Sequence, residues 1–303
     1  LRLKLGNHVE YVKNGNMTSK DSYISPLIME NKTVTKKILQ QHGFRVPIGE
    51  EFNDIEKALR SYDLFARKPF VVKPKTTNYG LGISIFKKAG ASYEDYQKAL
   101  TLAFKEDSSV LIEEFVYGTE YRFFVLDDKV HAVLLRIPAN VVGDGTHTIE
   151  ELVFQKNLDS LRGMDHRTPL ESIQLGELEV LMLKAQGYQK DSIPTSGEIV
   201  FLRENSNVST GGDSIDVTDQ IPDDYKKIAV DAVYALGAKI SGIDLIIENT
   251  EVPAANKNAY GIIEANFNPS MYMHIYPYKG KSRRLTMHVL HYLFPELLVS
   301  NYR

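Results

Sequence analysis

The sequence contains no cysteine. That excludes a disulfide scaffold, a thiolate nucleophile, an iron–sulfur cluster and a structural zinc site built on sulfur, and it fits a reducing compartment. No stretch approaches the roughly 18 apolar residues of a bilayer span, and no basic segment followed by an apolar run opens the chain, so a cytoplasmic protein without a membrane partner is expected. Positive charge is not in surplus either: 36 basic residues stand against 39 acidic ones. Recognition of a phosphate backbone needs a clear basic excess on at least one face, so nucleic acid is not an expected partner. Internal repeats and low-complexity tracts are also missing. With 43% hydrophobic and 25% charged residues the composition is that of a globular protein, and 303 residues suffice for two domains or one domain in two parts.

Residues 1–30 carry scattered apolar positions with no clean period and read as a linker or the tail of a preceding module. The chain opens on Leu1 rather than methionine, so we expect a piece of something longer. Regular structure is expected from Asn31, an N-cap residue followed by Val34, Ile38 and Leu39 on one helical face, with Gly43 placed to close the helix. Phe70-Val71-Val72 reads as a short buried strand, followed by a glycine loop over residues 76–82 and a strand over 83–86. Ser92 and Asp95 form a capping pair for a helix whose Tyr96, Ala99, Leu100 and Ala103 recur at i, i+3, i+4 and i+7. Strands are expected over 110–116, 121–126 and 130–137. From about 145 to 205, helices with long polar joints suggest an insertion. There Thr148 and Glu151 form a capping box, and Leu178, Leu181, Met182 and Ala185 make an apolar face that ends at Gly187. Beyond it come an amphipathic helix marked by Tyr225, Ile228, Ala229, Ala232 and Leu236, paired strands over 242–247 and 261–265, and a closing helix over 285–293.

The most informative polar residues are Asp244, Glu264 and Asn266. Both carboxylates interrupt strands that otherwise want burial, and an unpaired buried carboxylate costs several kcal/mol or changes protonation. Glu264 and Asn266, two apart, share one face of a strand. Two carboxylates and an amide oxygen would make an all-oxygen site that suits Mg2+ better than zinc, unless these are acids facing water from an edge strand. Lys73 follows the buried strand directly and precedes the glycine loop, where a lysine and backbone N–H groups can hold phosphate oxygens, although a surface hairpin loop reads the same way. The loop is neither a Walker motif nor a dinucleotide fingerprint: the sole Gly-Lys-Ser, Gly280 to Ser282, has Ile275 where the first glycine must stand, and Gly80 and Gly82 are followed by Ile85. The apolar strand ending in Glu113, Glu114, Phe115 and Val116 offers backbone groups to a purine edge, and Glu120 shortly after it can hold ribose hydroxyls.

In that order these residues resemble the ATP-grasp ligases. The family pattern of helix lysine, strand lysine, glycine loop, hinge strand, ribose acid, aspartate and glutamate-x-asparagine is met by Lys32, Lys73, residues 76–82, Glu113 to Val116, Glu120, Asp244, and Glu264 with Asn266. Arg136-Ile137-Pro138 and Asn207 to Gly212 are similar to segments of bacterial glutathione synthetases and cyanophycin synthetases. The chain as a whole looks most like the C-terminal ATP-grasp module of bifunctional glutathione synthetases, in which a glutamate–cysteine ligase module comes first; residues 1–30 would be the junction.

The resemblance implies an α+β fold with two α+β subdomains sandwiching the nucleotide, residues 31–115 as the lid and 116–303 as the second subdomain with its helical insertion. It implies ATP with Mg2+, or Mn2+ in its place, and γ-glutamylcysteine and glycine as substrates. Free-standing members of the family carry an N-terminal α/β domain that forms part of the substrate wall, and residues 1–30 are too short and aperiodic to be one, so that wall would come from the preceding module or from a second subunit in a homodimer. Lys32 and Lys73 would bind phosphates under a closing loop at Gly80 and Gly82. Glu113, with the backbone of Glu114 and Val116, would read adenine, and Glu120 would hold ribose. Asp244, Glu264 and Asn266 would take the metal, and Arg136, Arg203 and Asn207 would line the reacting centre. Asn268 and the residues after it would wall the glycine pocket. Lys279, Lys281, Arg283 and Arg284 would receive a peptide carboxylate or form a solvated basic turn. Tyr272, Tyr276 and Tyr278 are equally readable as pocket wall or core, and His288 with His291 is a remote metal-ligand alternative. A cyanophycin-type ligase or a silent nucleotide-binding module remains open.

Overall fold

A computed structural model describes residues 1–76, 82–165 and 167–297. Gly80 and most of the glycine loop lie outside the described residues.

The smaller lobe is a four-stranded antiparallel sheet in the order Gly49–Phe52, Val110–Glu114, Phe70–Pro74, Ser84–Phe86. Helix Tyr93–Glu106 covers it, and its start is set by Ser92, whose side chain accepts from the Asp95 N–H. Tyr96, Ala99, Leu100 and Ala103 are all buried, packing with Phe70, Val72 and Ile112 into one core, so the i, i+3, i+4, i+7 pattern is met residue for residue.

The larger lobe is a five-stranded antiparallel sheet in the order Asp213–Asp216, Lys129–Ile137, Thr119–Leu126, Ile240–Ile247, Tyr260–Asn266. Alternation along the strands splits its side chains between two faces. Phe123, Val125, Ile243 and Leu245 point into a core shared with helix Asp223–Ala235 and with Met29, Leu39 and Val46. Phe124, Leu126, Ala132 and Ile240 point the other way, under helix Leu285–Leu293. Gly242, Asp244 and Arg122 have the parity of that second face, so its uncovered end is polar.

Three expectations need correction. Residues 1–30 are not an irregular linker: they hold a hairpin, Arg2–Leu5 with His8–Tyr11, and a helix, Ile24–Glu30. Val12 and Met29 are buried in the large lobe, and the Ser25 hydroxyl donates to the Gly237 carbonyl at 2.7 Å. The segments are short and each buries only one or two side chains, which leaves no period to read. Helix Lys32–Gln41, expected to open the lid, packs through Leu39 into the large lobe's core instead. The insertion does have its own core, formed by Val141, Ile149, Leu152, Leu183, Val200 and Leu202 among others, and its capping box at Thr148 and Glu151. Its helix Glu177–Ala185, however, exposes Leu178 and Leu181 and buries Glu179 and Leu183. Glu179 is drawn in because it accepts from the Gly176 N–H and pairs with Arg203.

Candidate active site

Where the two lobes meet, helix Lys32–Gln41 presents two lysines four residues apart and therefore on one face. Lys32 Nζ lies 3.6 Å from Glu264 Oε1, across to the large lobe's edge strand. Lys36 reaches the other way and pairs with Glu113 of the small lobe, whose second oxygen takes Lys73 Nζ at 2.7 Å. All three groups are largely removed from solvent. Burial, with Lys73 adding to it, pulls the Lys36 ammonium down to about 7 against the pull of Glu113. For Lys73 burial also opposes charge, but Glu113 and Glu264 outweigh it and its pKa rises. Burial would push Glu113 up, yet the two lysines win and hold it down at about 2. Two buried lysines thus share one carboxylate, with Glu264 acting on Lys73 from further off, an arrangement that an anion such as a phosphate would complement.

This arrangement corrects the role expected of Glu113, because both its oxygens are committed to lysines rather than to an adenine edge. Glu114 is also engaged: its carboxylate accepts from the Ile48 N–H at 2.9 Å and pairs with Arg45 at 2.5 Å, and its own N–H donates to the Ile48 carbonyl at 2.8 Å. Val116 packs its side chain towards Gly261, where a Cβ would come within 3.1 Å of it. Lys36 is a site residue that the sequence reading missed; its spacing of four from Lys32 was the available signal.

The polar floor of the large lobe is built by register. Asp244 stands opposite Arg122 on one side and Glu264 on the other, and a β-bulge at this point of the Tyr260–Asn266 strand re-aims the pair. Asp244, almost wholly buried, receives Arg122 in a two-pronged contact with Nη2 to Oδ2 at 2.6 Å, and Arg136 Nη1 lies 3.5 Å away. Arg136 also donates to Glu120 at 2.7 Å and to the Ser206 carbonyl at 3.1 Å, while the Ser206 hydroxyl donates to the other oxygen of Glu120. Glu120 is therefore an ion-pair partner here rather than a free ribose acceptor. Arg122 and Ser206 were not anticipated, although Arg122 sits two residues after Glu120 and so on its face. Gly242 makes the room: a Cβ there would lie 3.1 Å from Arg122 Cδ.

Other expected residues are placed less centrally. Arg203 Nε is spent on Glu179 at 2.5 Å, and the Asn207 side chain accepts from the Ser209 N–H at 3.1 Å, capping the turn that leads to Gly211 and Gly212. At Gly212 a Cβ would meet the carbonyls of Asn207 and Ile137 at 2.8 Å, which accounts for the glycine. Asn268 is exposed, just past the strand that carries Glu264 and Asn266. Arg283 is corrected: its guanidinium is taken by Asp216 and Asp219, and Lys281 also pairs with Asp219 at 2.7 Å. Arg284 is exposed and faces a separate cleft with Lys129, His131 and His288. Lys279 lies 5.7 Å from the Tyr278 ring centre. Tyr272 and Tyr276 form an exposed edge-to-face pair at 5.1 Å and belong to no core. Among the described residues no group of three or more histidines or acids is arranged for a metal, so His288 and His291 gain no support as ligands.

The chain is similar to known proteins in sequence and in fold. Residues 30–145 match a family model described as the phosphoribosylglycinamide synthetase ATP-grasp (A) domain, and residues 1–24 match an ATP-grasp-like domain. The chain is 64% identical over 299 residues to the glutathione biosynthesis bifunctional protein GshAB of Enterococcus faecalis, covering 98% of this chain and 39% of that one. It is 59% identical to the crystal structure of a bifunctional glutathione synthetase from Pasteurella multocida, with a TM-score of 0.75 over 98% of this chain and 40% of that one. The chain is an ATP-grasp protein. It spans about two-fifths of the length of the curated relatives it matches. In this ATP-grasp chain the donor set for a divalent cation is all oxygen and adjoins the lysine cluster. Glu264 is partly open, and Asn266 keeps a buried Nδ2 with no partner, so its amide is not locked by protein contacts. Those two residues fit a hard cation. Asp244 fits as the third ligand only through lone pairs that Arg122 leaves unused.

Proposed function

We propose that this ATP-grasp chain is the ligase module that joins γ-glutamylcysteine to glycine, within a longer protein that also carries a glutamate–cysteine ligase module. The observation that carries the nucleotide half of this reading is the Lys36–Glu113–Lys73 cluster, with its excess positive charge between the lobes and Glu264 beside it. The similarity to bifunctional glutathione biosynthesis proteins supports the substrate half.

In this reading the cysteinyl carboxylate attacks the γ-phosphorus of ATP, the bond to ADP breaks, and an acyl phosphate forms. The glycine amine then attacks the acyl carbon, phosphate leaves with its bonding electrons, and the amine's proton passes to solvent. Lys36 and Lys73 hold phosphate oxygens and neutralise the charge that moves between them. Arg136, fixed by Glu120 and Ser206 and 3.5 Å from Asp244, would offer a rigid guanidinium beside the metal ligands. A Mg2+ or Mn2+ held by Glu264 and Asn266, with Asp244 as a shared third ligand, would supply further charge neutralisation at the phosphates. The glycine pocket would be walled by Asn268 and the residues after it.

Phosphate release is the test. The full-length protein carrying this chain should release phosphate far faster with γ-glutamylcysteine and glycine than with aspartate or arginine and an aspartyl peptide. The reverse preference would leave the ATP-grasp assignment standing and remove the substrate assignment.

A further inference from the structure

We propose that three cations gathered on Tyr278 receive the carboxylate of the acid substrate that does not react; the proposal rests on the ligase reading above. Lys156 Nζ, the Arg162 guanidinium and Lys279 Nζ lie 5.5, 5.5 and 5.7 Å from the centre of the Tyr278 ring. They come from separate parts of the chain. Lys156 ends helix Ile149–Asn157 and Arg162 begins a short strand, both in the inserted unit, whereas Lys279 runs beside the Asp213–Asp216 strand, bridged to Ile215.

The charges do not balance. Asp213 accepts from Lys156 at 2.7 Å and pairs with Arg162, so one carboxylate is in contact with two of the three cations. Asp159 acts on Arg162 through space and still leaves the cluster positive. Arg162 is buried, and its Nη1 donates to the carbonyls of Glu171 at 2.9 Å and Gly211 at 3.1 Å, yet its Nε–H has no partner among the described residues. A buried donor left unmade is costly, as is a buried cation without its counter-charge. Lys156 already gives its three protons to Asp213 at 2.7 Å and to the carbonyl and side chain of Asn140 at 2.9 and 3.2 Å, so a carboxylate arriving at this edge would take its charge-assisted bond from the exposed Lys279 and feel Lys156 and Arg162 through space.

The cluster is also well placed. The Tyr278 N–H donates to the Ser214 hydroxyl at 3.3 Å, and Ser214 is the register partner of Arg136 on the polar floor, so Tyr278 packs beside the strand next to that of Arg136 and a γ-glutamyl peptide is long enough to run from one to the other. In such a peptide one carboxylate, on cysteine, is activated, and the other, on the glutamyl α-carbon, needs a fixed cation. The insertion would thus read the γ-glutamyl end. Lys279 is the one member of the expected basic cluster that takes part, since Arg283 is neutralised by Asp216 and Asp219.

The test compares Lys279→Ala, Lys156→Met and Arg162→Lys in the full-length protein, with γ-glutamylcysteine and with 4-aminobutyrylcysteine, which lacks the glutamyl carboxylate. Lys279→Ala, at an exposed position, keeps the experiment decisive if a buried variant fails to fold. KM for γ-glutamylcysteine should rise about tenfold or more, with KM for ATP unchanged and kcat at saturation within about threefold. The analogue, already poor with the wild type, should lose nothing further. Unchanged KM for γ-glutamylcysteine, or an equal loss with the analogue, would overturn the subsite and leave the ligase reading intact. A wild-type protein that turns over no γ-glutamyl peptide would overturn that reading and the subsite with it.

Discussion

Two charge clusters in this protein look alike in composition and differ in their arithmetic. On the floor of the large lobe, Arg122 and Arg136 face Asp244 and Glu120, two charges of each sign, joined across neighbouring strands of one sheet. Between the lobes, Lys36 and Lys73 both contact Glu113, while Glu264 acts on Lys73 from further off and pairs with Lys32, so among the described residues three cations stand against two acids. The first cluster satisfies itself and holds strands in register; the second is complete only with an anion from outside. Burial by itself therefore does not mark a ligand site. Buried charge that fails to cancel does, and here it lies where the two lobes meet.

The comparison is broken most forcefully at the balanced cluster. Asp244→Asn should leave Arg122 buried without its counter-charge and destabilise the protein by about 3–5 kcal/mol, measured by urea unfolding. A loss under about 1 kcal/mol would mean that the pair does not hold the floor together. Glu264→Gln, at a partly open position, should keep the wild-type unfolding midpoint while kcat falls by roughly 10²-fold, as when one charge-stabilising group is lost. Near-full turnover at limiting Mg2+ would remove Glu264 from the metal site. Saturating MgATP should stabilise the folded protein by about 2.7 kcal/mol at a hundredfold excess over Kd, seen as a higher melting temperature. No shift would remove the nucleotide reading.

Much of this was legible beforehand, for identifiable reasons. The helix Tyr93–Glu106 follows from its own cap and period, and the strands carrying Asp244 and Glu264 follow from apolar runs with one acid set into each. The order of Lys73, Glu120, Asp244 and Glu264 along the chain was enough to suggest the family. What could not be read was the partner of each charge. Arg122 meets Asp244 only because two strands 122 residues apart pair in that register, and Glu113 turns to the lysines only because helix Lys32–Gln41 packs on the opposite lobe. Residues 1–30 gave no period because each short element buries one or two side chains. Arg283 looked like a free cation until Asp216 and Asp219, more than sixty residues earlier, were seen to take it.

The smallest effect is the sharpest test of the unbalanced cluster, because it has a sign. With ligand absent, Lys36 titrates at about 7, far below the ordinary range of lysine. Between that value and 10.5 the unfolded chain holds a proton at this position that the folded chain does not, so the stability of the free protein should rise with pH across this window. Glu113, whose pKa is also lowered, has the same sense in a lower window, contributing stability above about 4.5 that is lost as the pH falls towards about 2. A phosphate placed beside Lys36 favours its charged form. Binding of ATP above pH 7 should therefore take up a proton, and affinity should fall as pH rises. Calorimetry in two buffers of different ionisation enthalpy measures that uptake directly. Lys36→Met should weaken ATP binding by about tenfold, or about 1.4 kcal/mol, abolish the proton uptake, and flatten the rise of stability with pH. If the variant binds ATP with the same affinity and the same proton uptake, the anion sits elsewhere and the excess charge between the lobes has another purpose.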